Sequence, residues 1–413
     1  MPKPSSDARA VFRYPNFLYH AGARVLSVFA SEMQAVAVGW QLYNLTHRPL
    51  DLGLVGLAQF LPGILLFLVA GHAADRFPRK NILQFCMAGY AMVSLLLFTF
   101  TLRGLTAVYP IYAVLLLNGT ARAFSMPASQ ALLPTLVPPE HFSQAVAWGS
   151  SWFQMATIFG PVVGGLVYGT TATPLPVYGA AALFYSAAFL SVSRIHVNRT
   201  QAAAKARPPE MVWEGLRYIW KNKFVLGAIS LDLFAVLLGG AVALLPVYAR
   251  EILGIGAFGL GILRSAPGMG AIVMAVLLAH YPLGRRQGSI MLGCVFGFGL
   301  FTIVFGFSHS VLLSLLALAL TGACDMVSVV VRSTMIQLRT PDRMRGRVSA
   351  VNMVFIGASN EVGQFESGIT AQWFGSVAAV VLGGVGTIIV VAAWTWLFPE
   401  LRQAQEPVAA GAR

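Results

Sequence analysis

Apolar and polar positions along the chain are blocked on the scale of long helices. Twelve predominantly apolar runs fall at 17–46, 51–74, 81–102, 108–136, 143–170, 175–195, 224–250, 256–281, 289–307, 311–337, 346–372 and 376–398, separated by short segments rich in charge, Gly and Pro. Each is close to or longer than the roughly 20 residues that an α-helix needs to cross a bilayer core. The pattern therefore predicts twelve transmembrane helices. Several carry Gly and Pro in mid-run, as at Pro62-Gly63, Gly160-Pro161 and Pro267-Gly268. Such pairs would damage a helix in water but are tolerated where neighbouring helices repack around them.

Composition agrees. Of 413 residues, 57% are hydrophobic and 10% charged, against about 25% charged in ordinary soluble domains, which excludes a water-soluble fold. The net charge of +13 would suit a nucleic-acid binder, so the positions of the cations decide. With the N-terminus cytoplasmic, 21 of the 28 Lys and Arg fall in inside segments and only Arg48, Arg103 and Arg250 outside. That asymmetry predicts both termini on the cytoplasmic side and turns the basic excess into an attraction to anionic lipid, with no nucleic-acid partner. Cys86, Cys294 and Cys324 lie inside apolar runs without paired or metal-ligand spacing, so neither disulfides nor a zinc site is expected. Residues 1–16 are polar, with Lys3, Arg9 and Arg13, and do not read as a signal peptide.

The longest break, Ile195 to Lys223, divides the runs six and six. The expected organisation is a tail at 1–16, a six-helix bundle at 17–195, a cytoplasmic loop at 196–223, a second bundle at 224–398 and a tail at 399–413. Within the loop, MVWEGLRYIWKNK mixes Trp213, Leu216, Tyr218 and Trp220 with basic residues, the pattern of a helix lying in the inner interface or of a linker with aromatic anchors. The halves also repeat. At an offset of 203, Gly119 meets Gly322, Ser125 meets Ser328, Pro138 meets Pro341, Gly160 meets Gly363 and Gly165 meets Gly368. At 205, Gly56 meets Gly261, Pro62 meets Pro267 and Gly63 meets Gly268. Six helices per half give the halves equal orientation, so two parallel bundles around a central site are expected, an architecture of secondary transporters.

After the second run the chain reads GHAADRFPRK, residues 71–80. Gly71, Asp75, Arg76, Arg79 and Lys80 resemble the signature between helices 2 and 3 of the major facilitator superfamily, with Pro78 in place of a small residue. The resemblance implies that Asp75 and the cations around it act as a conformational latch. In the second half Tyr281 stands where Asp would be. The fifth run holds Ala156, Gly160, Pro161, Gly164 and Gly165, which resembles the Gly-Pro-x-x-Gly-Gly motif of antiporter-type facilitators. Small residues four apart let backbones touch, and Pro161 removes a backbone bond, so Gly160, Pro161, Gly164 and Gly165 form a candidate hinge. The segments VAVGWQLYNLT, LGLVGLAQFLPG and TPDRMRGRV are similar to the enterobactin-exporter and macrolide-efflux branch of drug-proton antiporters.

Away from the ends of the runs lie nine Arg, Asp and Glu residues: Arg24, Arg122, Arg264, Arg332, Glu32, Asp232, Asp325, Glu361 and Glu366. Each costs about 2.5–3.5 kcal/mol at the bilayer centre by insertion scales unless paired or hydrated, so they are expected to face the protein interior. Arg122 and Asp325 are separated by the repeat offset itself, which predicts opposite charges at equivalent depth. The superfamily resemblance puts runs 1, 4, 7 and 10 around the cavity, making Arg24, Glu32, Arg122, Asp232, Asp325 and Arg332 the candidate substrate and proton-coupling residues. Glu32, Asp232 and Asp325 are the candidate proton carriers. The seven His are isolated and no GxxxxGK[ST] loop occurs, so a catalytic cluster and nucleotide-driven transport are not expected.

The expectation is an all-α, twelve-helix inner-membrane transporter, monomeric and without cofactor or metal. It exports amphipathic small molecules (drug, siderophore or metabolite) by alternating access in exchange for protons. Uptake by proton symport, an intramembrane enzyme and a ligand sensor are the alternatives.

Overall fold

The computed structural model describes residues 10–104, 106–196, 208–281, 283 and 286–403, and these form helices joined by short turns, with no strand among them. In the first half, helices α1 (Pro15–Thr46), α2 (Pro49–Leu65), α3 (Phe67–Arg76), α4 (Arg79–Leu102), α5 (Tyr109–Leu132), α6 (Pro139–Thr171) and α7 (Leu175–Ser193) follow the first six runs. Then come α8 (Pro208–Lys221), α9 (Lys223–Gly239), a single turn α10 (Leu245–Val247), α11 (Gly256–His280), α12 (Gln287–Phe307), α13 (Val311–Arg339), α14 (Asp342–Phe374), α15 (Ser376–Leu397) and α16 (Pro399–Arg402). Seven of the described helical stretches are long and apolar enough to cross a membrane: Arg79–Leu102, Leu175–Ser193, Lys223–Ile252, Gly256–His280, Gln287–Phe307, Val311–Arg339 and Ser376–Leu397.

Helix ends follow local chemistry. Proline opens α1, α6 and α7 at the first or second position, where its missing N–H costs nothing. Asn222 caps α9, its side chain accepting from the Val225 amide, which satisfies one orphan donor. Between α14 and α15, Gly375 has φ +86°, a backbone only glycine adopts without strain. Two predicted runs are broken. The run at 51–74 is interrupted at Leu66, one turn after Pro62-Gly63, giving α2 and α3. The run at 224–250 leaves the α-helix at Gly239-Gly240 and continues as a 3-10 turn, α10 and a π turn over Tyr248–Ile252. Weak helix propensity at the paired glycines accounts for the break at Gly239-Gly240, and Pro62-Gly63 weakens the turn that precedes the break at Leu66.

The chain divides into two compact units. The first comprises Met1–His47, Ala58–Ala206 and Ile255–Ser265; the second comprises Arg48–Leu57, Arg207–Gly254 and Ala266–Arg413. Each is built on the same scheme. In the first, α1 packs on α6 and α7, and α4 on α5 and α7. In the second, α9 packs on α14 and α15, and α12 on α13 and α15. One core of the first unit gathers Leu83, Met87, Tyr90 and Tyr185; that of the second gathers Phe224, Leu231, Met291, Val331 and Met335. Outward, Phe85, Leu183 and Trp396 remain 78%, 71% and 83% exposed. Apolar groups of that size left open on long apolar helices are what helices able to cross a membrane present outward.

Helix α8 forms at the predicted amphipathic stretch. Its inner face is fixed to the second unit: Gly215 packs on the Arg347 backbone, Glu214 pairs with Arg347, and the Tyr218 hydroxyl donates to the Arg339 carbonyl at 3.2 Å. Trp213 and Trp220 stay exposed on its other face.

Candidate functional site

In the second unit, Asp232 on α9 and Arg332 on α13 form an ion pair whose side chains are only 10% and 2% exposed. Asp325 lies seven residues before Arg332, on the same face of α13, and has Asp232 and Arg332 as its charged neighbours. Among the described residues Asp232 is the carboxylate paired with the guanidinium, and Asp325 feels both groups electrostatically. The pair neutralises itself and one negative charge is left over, which a proton or another cation would balance. Three of the six predicted cavity residues come together in this cluster.

The other three lie in the first unit. Glu32 on α1 pairs with Arg264 on α11 at 3.7 Å, both about a quarter exposed. The sequence marked Arg264 as an intramembrane charge but gave no partner for it. Arg24, eight residues before Glu32, stacks over the Phe153 ring on α6 at 4.9 Å, a contact worth about 0.5–2 kcal/mol. Arg122 on α5 is exposed, beside a hydrogen-bonded pair in which the Tyr90 and Ser125 hydroxyls are 2.8 Å apart.

The glycine-rich face of α6 is in intimate backbone contact. A Cβ added at Gly160 would lie 2.7 Å from Glu32 Cβ, and one at Gly164 2.7 Å from Met33 Cα, so α6 seats directly on α1. One at Gly165 would lie 2.6 Å from the Ala257 carbonyl oxygen and 3.1 Å from Gly261 Cα. Pro161 sits inside α6, which continues past it without a break. The repeat reproduces these contacts in the second unit. Gly363 meets Leu237 on α9 as Gly160 meets α1, and Gly368 faces Gly53 of α2, where an added Cβ would lie 2.8 Å from Gly53 Cα.

In the 71–80 segment, Arg79 donates to the Ala131 carbonyl at 2.6 Å and Lys80 to the Ser193 carbonyl at 2.8 Å. Both cations therefore sit at helix C-termini, where dipole and unpaired carbonyls favour positive charge. Arg76 is exposed, and Asp75 lies outside the residues whose side chains are described. Among the described residues, nothing comes within 4 Å of a Cβ added at Gly71. Nor is any group of three or more His, Cys, Asp or Glu placed to hold a metal among the described residues.

Residues 7–410 match the family described as transmembrane secretion effector. The enterobactin exporter EntS of Citrobacter koseri is 25% identical over 388 residues, 93% of this chain and 92% of that protein. EntS of Shigella boydii serotype 4 is 26% identical over 384 residues, covering 92% and 91%. Among solved structures, the nucleoside transporter NupG superposes with a TM-score of 0.73 at 13% identity, covering 93% of this chain and 99% of that one. A bacterial homologue of the human lysosomal transporter Spinster gives 0.73 at 13% identity, covering 98% and 100%. With the family matched over nearly its whole length, the chain belongs to the transmembrane secretion effector family of the major facilitator superfamily, and is a multi-pass membrane transporter rather than an enzyme.

Proposed function

We propose that this transporter exports amphipathic small molecules across the inner membrane by alternating access, driven by inward proton flow. Twelve spanning helices in two parallel six-helix bundles, at 17–195 and 224–398, with both termini cytoplasmic, fit the 21-to-3 distribution of basic residues. Export is supported by the relatives named as enterobactin exporters. The observation that carries proton coupling is the buried cluster of Asp232, Asp325 and Arg332, with one more carboxylate than cation. Asp232 is committed to Arg332, so Asp325 is the proton carrier in this reading. Arg24, Arg122 and the Glu32–Arg264 pair contribute to substrate handling in the first bundle. The glycine face of α6 provides the close packing on which bundles rock, Asp75 with Arg76, Arg79 and Lys80 acts as the cytoplasmic latch, and the protein works as a monomer without cofactor.

The test is transport in inverted membrane vesicles, with enterobactin as first probe beside a panel of amphipathic dyes. An acid-interior gradient should drive probe into the vesicles, and collapsing it with a protonophore should stop accumulation. Accumulation that survives the protonophore overturns proton coupling; movement only from lumen to medium overturns export.

A further inference from the structure

Between α1, the end of α5 and the first third of α6 lies a cavity of about 40 Å³, lined among others by Phe17, His20, Arg24, Ala145, Gly149 and Ser150. It lies wholly within the first unit. Roughly 10–15 Å³ on this measure holds one water, so the space suits a group of about three heavy atoms. His20 and Arg24, four apart, share one face of α1. The His20 ring is 4% exposed and held by the Ser129 hydroxyl at 3.0 Å, which fixes it against the cavity. Across from them, Gly149 leaves the space open: a Cβ there would come within 3.9 Å of an Arg24 guanidinium nitrogen.

Charge and surroundings define the occupant. Arg24 is half-buried on the long helix α1. It stacks on the Phe153 ring, and no hydrogen-bond acceptor or carboxylate of the described residues engages its guanidinium. From Phe17, which lines the cavity, aromatic contacts continue outward, with Phe17 stacked on Trp152 at 6.2 Å and Phe12 on Trp152 at 5.8 Å. A planar anion would take two parallel N–H donors from the guanidinium and the Ser150 hydroxyl, while an attached ring would extend along the aromatic wall.

We propose that this cavity is an anion subsite that receives the carboxylate of an aromatic acid. Its use in export rests on the transport reading above; its existence as a binding site does not, since the purified protein can be titrated without any transport. The volume favours a carboxylate over the larger phosphate of a lipid headgroup or free phosphate.

The experiment is calorimetric titration of purified full-length protein with benzoate, its neutral counterpart benzyl alcohol, and inorganic phosphate, with and without added phosphatidylglycerol. Saturable benzoate binding is expected, with benzyl alcohol and phosphate each weaker by about tenfold or more. Arg24→Gln should lose benzoate binding while Arg24→Lys keeps part of it. Equal binding of benzoate and benzyl alcohol in the wild type overturns the proposal, as does unchanged affinity in a folded Arg24→Gln. Displacement of benzoate by phosphatidylglycerol or phosphate at equal or lower concentration assigns the cavity to a phosphate headgroup and also overturns it. Benzoate binding without proton-driven export would leave the subsite standing and remove only the transport reading.

Discussion

Arg332 on α13 is paired with Asp232 on α9 at 2% side-chain exposure, deeper than any other described ion pair. Buried pairs of this kind recover little over well-packed apolar residues, but breaking one leaves a charge stranded. The first prediction follows. Arg332→Met should destabilise the second unit by about 3–5 kcal/mol, seen as lower yield and a lowered midpoint in thermal unfolding in detergent. The double variant Arg332→Met with Asp232→Asn should recover most of that loss. A double variant as unstable as the single one would mean that packing, and not charge, holds the two helices there.

The glycines make a contrasting pair. An added Cβ at Gly165 meets the Ala257 and Gly261 backbone at 2.6–3.1 Å, whereas one at Gly71 meets nothing within 4 Å. Gly165→Ala should therefore cost about 1–3 kcal/mol through overpacking and reduce transport. Gly71→Ala, inside α3, should be neutral or gain up to about 1 kcal/mol in helix propensity. Thermal unfolding of the two variants side by side checks this, and equal effects would contradict the contact geometry.

Helix positions were largely legible in the sequence, because apolarity over twenty residues is an unmistakable signal and the repeated Gly and Pro share a register. The pairings those glycines make in the two units, Gly160 on α1 and Gly363 on α9, follow that register. The breaks after Pro62-Gly63 and at Gly239-Gly240 were not, since spanning helices absorb many such pairs and composition does not say which. Charge partners were the least legible. Sequence ranks Asp232, Arg332, Glu32 and Arg264 equally as costly intramembrane charges, and only the fold selects Arg332 for Asp232 and Arg264 for Glu32. The cavity at Arg24 left a faint signal, His20 and Arg24 four apart on one helix beside small residues on α6.

Glu32 and Arg264 are each about a quarter exposed, so their pairing is screened and worth roughly 0–1 kcal/mol. Arg264→Gln should leave the unfolding midpoint nearly unchanged yet alter transport, because the contact between α1 and α11 through Glu32 and Arg264 is then lost. A fall in stability comparable to that of Arg332→Met would contradict the distinction between the two pairs.

Asp75→Asn removes charge at constant volume, so insertion and yield should stay normal while transport slows. Transport at the wild-type rate, with unaltered labelling from either side of cysteines introduced at the positions of Arg24 and Arg122, would reduce the 71–80 segment to a topology signal.

Proton coupling through Asp325 is tested most directly by comparing uphill transport with exchange in one variant. Asp325→Asn, reconstituted in proteoliposomes and assayed with a substrate identified in the vesicle assay, should fail to concentrate it under a proton gradient. The same variant should still exchange labelled for unlabelled substrate at equal concentrations, because only the proton carrier is lost. Proton-driven accumulation by Asp325→Asn at the wild-type level would contradict the account.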